Sequence, residues 1–209
     1  MKLNTNSNSY TIIYASVIVV IVAFALAFVS SSLKETQKKN EDYDKMKQIL
    51  SAIHVDASKA ADVQAEFDKY IKADEIMNSE AQVVAEKGGF LVDMKFELAK
   101  DLKDRQLPVY IAEVDGQTKY ILPLFGAGLW NSIWGYIALN EDKNTVFGVY
   151  FDHAGETPGL GAEIATDKFQ GQFNNKHVYS NGEVALSVVK NLGNFLGKDF
   201  ESSQIIVVH

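Results

Sequence analysis

The chain has no cysteine in 209 residues. That absence removes disulfides, thiolate metal sites, iron–sulfur clusters and cysteine nucleophiles together. It does not fix the compartment, because proteins outside the cytoplasm also do without cysteine. Arginine is almost missing too: Arg105 stands alone among 20 basic residues, set against 27 acidic ones for a formal charge of −7. The guanidinium fork is the favoured reader of phosphate and guanine, so the composition argues against a nucleic-acid partner. Neither Gly-x-Ser-x-Gly nor His-Glu-x-x-His occurs, which speaks against the common hydrolytic machineries. A Gly-Lys-Ser/Thr phosphate loop is absent as well. His54, His153, His177 and His209 are scattered without metal-ligand spacing. No internal repeat or low-complexity segment breaks the chain. Hydrophobic residues make up 47% and charged residues 22% of it, a composition that excludes wholesale disorder and leaves room for a real core.

Charge is also missing from one long stretch. No charged side chain lies between Lys2 and Lys34, and Tyr10–Ser30 is apolar almost throughout. Twenty-one helical residues at ~1.5 Å each span about 31 Å, which matches a hydrocarbon core of roughly 30 Å. Tyr10 and Tyr14 lie near the first edge of that run, where amphipathic aromatic side chains gather. A cleaved signal peptide has a shorter apolar core behind a basic leader. Here the run is longer and the leader carries only Lys2, so the segment reads as an uncleaved single-span anchor. Lys34, Lys38, Lys39, Lys45 and Lys47 follow it, which by itself favours that side as cytoplasmic; a long following domain can translocate regardless of charge. The sequence physics leaves the orientation open.

After the span, Glu35 to Asp74 reads as helix. Met46, Ile49, Leu50 and Ile53 fall at i, i+3, i+4 and i+7, and Val63, Phe67, Tyr70 and Ile71 repeat that pattern. Residues 54–58 make a plausible break, with Asp56 or Ser58 as the cap of the second helix. The pattern stops short of three heptads, so a stalk or packing pair is expected rather than a coiled coil. Residues 74–90 are weakly patterned and end in a loop at Lys87-Gly-Gly89. From Phe90 the period changes. Pro108–Val114 reads as a strand, Asp115-Gly116 as a tight hairpin turn, and Thr118–Leu124 as the returning strand. Trp134–Leu139 and Thr145–Phe151 read as two further strands joined by the polar turn Asn140–Asn144. The fold class expected is α+β: one N-terminal transmembrane helix, a helical stalk, then a mainly antiparallel sheet. The matching division is 1–33 with an anchor at about 10–30, 34–89 as the helical stalk or packing region, and 90–209 as the sheet domain.

Two stretches are too rich in glycine and aromatic residues to be ordinary connectors. They are Phe125–Gly135, with Trp130 and Trp134, and His153–Glu163. Glycine permits positive φ and lets another group approach the backbone closely. Neither stretch is a dinucleotide fingerprint, because the third glycine and the strand-to-helix context are missing. Tight turns and a ligand-contacting loop both fit. The two tryptophans fit a core as well as a ligand wall, and His153 with Glu156 is only a weak acid–base pairing. No catalytic residue and no metal ligand is assigned.

These residues carry a family resemblance. It rests on Asn8-Ser-Tyr-Thr-Ile-Ile-Tyr-Ala15 with its span, Leu107-Pro-Val-Tyr-Ile-Ala-Glu113, Gly116-Gln-Thr-Lys-Tyr-Ile-Leu-Pro123, Gly126-Ala-Gly-Leu-Trp130 with Trp134-Gly-Tyr136, and Gly155-Glu-Thr-Pro-Gly-Leu-Gly-Ala-Glu-Ile164. In these the chain resembles the C subunit of the sodium-translocating NADH:quinone reductase, over most of its length to about Lys190. The sister family is the G subunit of the Rnf electron-transport complex, which shares the flavin-binding domain. The resemblance implies a single-pass protein of the bacterial inner membrane, with its soluble FMN-binding domain on the periplasmic side. It implies electron relay from NADH toward quinone, coupled to sodium export, in a complex of six subunits; the partners are the other subunits and membrane lipid. The protein is not expected to be catalytic alone. The flavin-side residues it implies are Glu156, Thr157, Gly159, Leu160 and Gly161, with Gly128 and Trp130 as wall. Thr157 and Leu160 stand foremost, since a hydroxyl and an aliphatic side chain suit the polar and apolar edges of the ring.

In the family FMN is held on a phosphoester to a threonine of a C-terminal Ser-Gly-x-Thr motif. That motif does not occur here, and no threonine follows Thr166. Ser202-Ser203 does not replace it, and Thr157 is a turn threonine rather than the acceptor. The expectation is that the C-terminal part is truncated or frameshifted over residues 191–209. Two alternatives follow: a flavoprotein like the Rnf G subunit, or a redox-silent structural subunit. A membrane-anchored hydrolase or binding module built on the 125–163 loops is a third.

Overall fold

The computed structural model describes residues 7–189 and 205–207. Contacts divide the chain at Asp44/Lys45 into two compact units. Helix α1, Asn8–Ser51, begins in the first and ends in the second.

In the first unit the apolar part of α1 buries nothing. Phe24 is 78% exposed and Phe28 73%, and the most apolar 18-residue window of the helix is wholly unburied. A helix apolar all round needs a hydrophobic surrounding, and this one is long enough to cross a bilayer.

The second unit begins with the last turns of α1. Met46, Ile49 and Leu50 are buried there, and Ile53 beyond the helix end joins them, as the i, i+3, i+4, i+7 spacing requires. His54 then takes φ +61 and ends the run. The cap of α2 (Val63–Tyr70) is Asp62, whose carboxylate accepts the Ala65 N–H at 3.1 Å. Neither residue expected in that role serves: Asp56 accepts the Ser58 N–H at 2.9 Å and shapes the loop between the helices instead.

The helical reading also runs too far. Ile71–Met77 is strand β1, paired with β2 (Val83–Ala85) and with β3 (Leu107–Val114). Ile71 satisfies the helical spacing of α2 and yet opens a strand. Its pairing through Ala73↔Ile111 and Glu75↔Val109 overrides a local pattern that carries no strand alternation.

The expected hairpin forms as read. β3 and β4 (Gln117–Ala127) are joined by Asp115 at φ +50 and Gly116 at φ +76, a two-residue turn with both central residues left-handed. β5 (Ser132–Leu139) and β6 (Val146–His153) follow, joined by a turn in which Asp142 accepts the N–H groups of Asn144 and Thr145. The sheet is antiparallel in the order β2-β1-β3-β4-β5-β6.

Alternation along β5 explains how both faces are covered. Tyr136 and Ala138 turn to the cluster built on Ile49, Leu50, Phe67 and Tyr110. Ile137 and Leu139 turn to the other, with Val146, Val149, Phe169 and Phe173. Phe169 lies in the short helix α3 (Asp167–Gln170), and Phe151, Phe169 and Phe173 meet ring to ring at 5.1–6.1 Å between centroids. Beyond this lie a small hairpin, β7 (Tyr179–Ser180) with β8 (Glu183–Val184), and a parallel pair, β9 (Ser187–Val189) with β10 (Ile205–Val207). Apart from β10, the expected departure at 191–209 lies outside the described residues, as does Ser202-Ser203.

Candidate functional site

The two glycine-rich stretches meet at one edge of the sheet. β4 and β5 pair out to Ala127↔Ser132, leaving a four-residue tip, Gly128–Asn131, closed by the Gly128 N–H on the Asn131 carbonyl at 2.7 Å. β6 ends beside it, at Ile133↔His153, and the Ala154 N–H still reaches the Ser132 carbonyl at 2.9 Å. The sheet's register therefore places residues 154–160 alongside the hairpin tip.

Glu156 joins them. It is 8% exposed, and its Oε1 accepts the backbone N–H groups of Trp130 at 3.0 Å and Asn131 at 3.2 Å. The Trp130 N–H, then that of Asn131, holds the carboxyl below the ordinary glutamate range; the nearby His153 and the Leu129 N–H act in the same direction, while burial opposes them. The Glu156 N–H in turn donates to His153 Nδ1 at 3.2 Å. The His153–Glu156 hydrogen bond thus runs through the Glu156 backbone.

Two glycines make room for this carboxylate. A Cβ on Gly128 would collide with Glu156 Oε1, and one on Gly161 would stand 2.6 Å from Oε2. Both positions require glycine for close approach rather than for an unusual φ. Past Glu156 the Thr157 carbonyl accepts from Leu160 and Ala162, and Gly159 sits at φ +73 with nothing within 4 Å of its Cβ position. Thr166 caps α3 through its side-chain oxygen.

The site residues expected from the sequence fall into two groups. Gly128, the Trp130 backbone, Glu156 and Gly161 are in direct contact. Thr157, Gly159 and Leu160 form the exposed turn that follows. Beside the exposed Asn131 and Thr157, this edge presents three large apolar side chains to solvent: Leu129 is 84% exposed, Trp130 71% and Leu160 69%. Trp134 behaves differently, its partly buried indole donating to Gln48 Oε1 at 3.2 Å. Sequence reasoning missed Leu129, Asn131 and the acceptor role of His153. Leu129 and Asn131 lay inside the stretch singled out, but no pattern marks which backbone groups a distant carboxylate will choose.

A cleft of about 340 Å³ lies elsewhere on the same unit, lined by His54, Tyr150, Gln170 and Asn174 among others. Among the described residues, the Asn174 Oδ1 is buried without a hydrogen-bond partner. Among the described residues no three His, Cys, Asp or Glu side chains converge as metal ligands.

Residues 128–201 match the family described as FMN-binding domain, a match that begins at Gly128, the glycine of the hairpin tip. The chain is 31% identical to the C subunit of Na(+)-translocating NADH-quinone reductase from Haemophilus ducreyi, covering 90% of this chain and 80% of that protein. It is 32% identical to the protein of the same name from Pseudomonas aeruginosa, covering 90% and 79%. Among solved structures it is similar to the corresponding protein from Parabacteroides distasonis, with 39% identity, a TM-score of 0.71 and coverage of 84% and 82%. The fold is shared with Shewanella oneidensis NqrC at 22% identity and a TM-score of 0.65, covering 81% and 84%.

Proposed function

The chain belongs to the family of the C subunit of Na(+)-translocating NADH-quinone reductase, and from that premise we propose that its two apolar loops form the wall of an FMN site. The protein is the FMN-binding electron-transfer subunit of that oxidoreductase complex. The observation that carries the site is the exposure of Trp130, Leu129 and Leu160 on two loops that Glu156 binds together. Soluble proteins seldom present such side chains side by side unless something apolar and flat covers them.

These residues fit a flavin ring. FMN, when bound, supplies the electron transfer. Trp130 and Leu160 would supply apolar contact that keeps water from a bound flavin, Thr157 would offer a hydroxyl to a polar group of it, and Gly128, Gly159 and Gly161 would let the backbone come close. Glu156 keeps the loops in register. No threonine of the chain stands in a Ser-Gly-x-Thr pattern, and the proposal for the loops assigns no covalent acceptor.

The relatives are C subunits of the sodium-translocating complex, which favours this reading over a protein like the Rnf G subunit. The exposed apolar helix α1 supports membrane anchoring. In the proposed arrangement it crosses the bacterial inner membrane once, with the sheet domain on the periplasmic side among the other members of a complex of six subunits.

Purified full-length chain given FMN is expected to retain visible flavin absorbance after free flavin is removed. Colourless protein that takes up no added FMN refutes the site and leaves the redox-silent structural role. The mass of the denatured chain reports whether any link is covalent.

A further inference from the structure

Glu156 is buried between the two loops of the proposed flavin wall, and its carboxylate is engaged by the protein itself. Oε1 takes two successive backbone N–H groups, and Oε2 lies against Gly161, where even a methyl group would collide. Successive N–H groups converging on one point make a concave anion site of the kind that elsewhere holds phosphate. In this protein the anion is supplied from inside the chain.

We propose that Glu156 is a positioning residue, the built-in anion of the Trp130–Asn131 backbone nest, and that this lock fixes Trp130 and Leu160 relative to each other. The hairpin tip carries Trp130. Its backbone is held at residues 128–131 by one internal hydrogen bond and by Glu156. The opposite loop carries Leu160, placed by the Thr157 turn that starts one residue after Glu156. Remove the carboxylate and the described bonds joining the two loops beyond Ala154–Ser132 are gone. A glutamine keeps an acceptor oxygen for both N–H groups but loses the negative charge that strengthens those bonds, so it is expected to hold the tip more weakly. Alanine at 128 or 161 displaces the same carboxylate sterically, so both glycines belong to the device. That the lock serves a flavin rests on the reading above; that it exists does not.

The test uses the full chain in detergent without added flavin, and reads backbone hydrogen exchange in peptides covering residues 125–133. The amides of Trp130 and Asn131 are expected to exchange about tenfold faster in Glu156→Ala, as the loss of a charge-assisted hydrogen bond implies. Millimolar formate, a carboxylate small enough for the vacated space, is expected to restore the slow rate, while chloride does not. Glu156→Gln and Gly161→Ala are each expected to speed the same amides, and the double variant no more than either alone. Unchanged exchange in these variants, a rate that formate leaves uncorrected, or additive effects in the double variant overturn the lock. If Glu156→Ala fails to fold, shown by faster exchange across β3 and β4 too, Gly161→Ala alone decides. A second arm adds FMN. Indole contact quenches flavin emission, so Glu156→Gln is expected to brighten bound FMN relative to the wild type. If the exchange arm succeeds while wild-type chain leaves FMN as bright as in water, the lock stands and the flavin reading falls.

Discussion

The Trp134 indole Nε1 donates to Gln48 Oε1 at 3.2 Å across 86 positions of sequence. This bond ties the last turns of α1 to β5, four residues after the exposed Trp130. Two tryptophans close in sequence therefore have separate work: one anchors the helix to the sheet, the other faces outward on the hairpin tip.

Gln48→Ala leaves the indole N–H without its partner in a half-buried place. A loss of about 1 kcal/mol is expected, seen as a fall in melting temperature of roughly 2–4 °C for a unit of this size. Thermal unfolding of the detergent-solubilised chain followed by near-ultraviolet circular dichroism measures it. An unchanged melt shows that the bond is not formed.

Leu50 has no exposed surface and sits in the centre of the cluster between α1 and the sheet. Leu50→Ala is expected to cost about 2–5 kcal/mol through lost burial and the cavity left behind. Val19→Ala, on the unburied apolar stretch, is expected to leave the melt of the sheet domain unchanged. Equal effects at the two positions contradict the division of α1 into a packed end and a lipid-facing part.

Trp130→Ala and Leu160→Ala remove exposed side chains and are expected to shift apo-protein stability by no more than about 0.5 kcal/mol. Each is expected to weaken FMN binding by about tenfold, the order of a lost aromatic or aliphatic contact. Flavin titration monitored by fluorescence separates the two effects. Wild-type affinity in both variants removes these residues from the site.

Acid sensitivity follows from two carboxylates. The Thr145 hydroxyl, then the Asn144 and Thr145 N–H groups, hold Asp142 below the usual aspartate range, and backbone N–H groups do the same for Glu156. A carboxyl whose pKa is lower folded than unfolded stabilises the protein fully above its unfolded value. That contribution is lost as pH falls through the lowered folded one. Melting temperature is therefore expected to drop below the ordinary carboxylate range, with a shallower drop in Asp142→Asn and in Glu156→Gln. Parallel curves for wild type and both variants refute the assignment.

Much of the architecture was legible because local pattern and tertiary fate agree. The spacing of Met46, Ile49, Leu50 and Ile53 marks a buried helix face, and that face is buried. Asp115-Gly116 asks for a left-handed turn and makes one. β1 was hidden because Ile71–Met77 gains its strand character from pairing with β3, and no alternation within it says so. Asp62 was overlooked as a cap because Asp56 and Ser58 offered the same chemistry a few residues earlier.

The candidate site divides along the same line. Composition and hydropathy alone determined the apolar helix, the lack of thiol and arginine chemistry, and the two glycine-rich stretches, because each is a property of consecutive residues. That Trp130 is exposed while Trp134 is tied to Gln48, and that Glu156 turns inward onto the Trp130 and Asn131 N–H groups, only the tertiary structure decided. Such choices depend on which strand ends the sheet register brings side by side, and a buried carboxylate takes whatever donors stand there once water is gone.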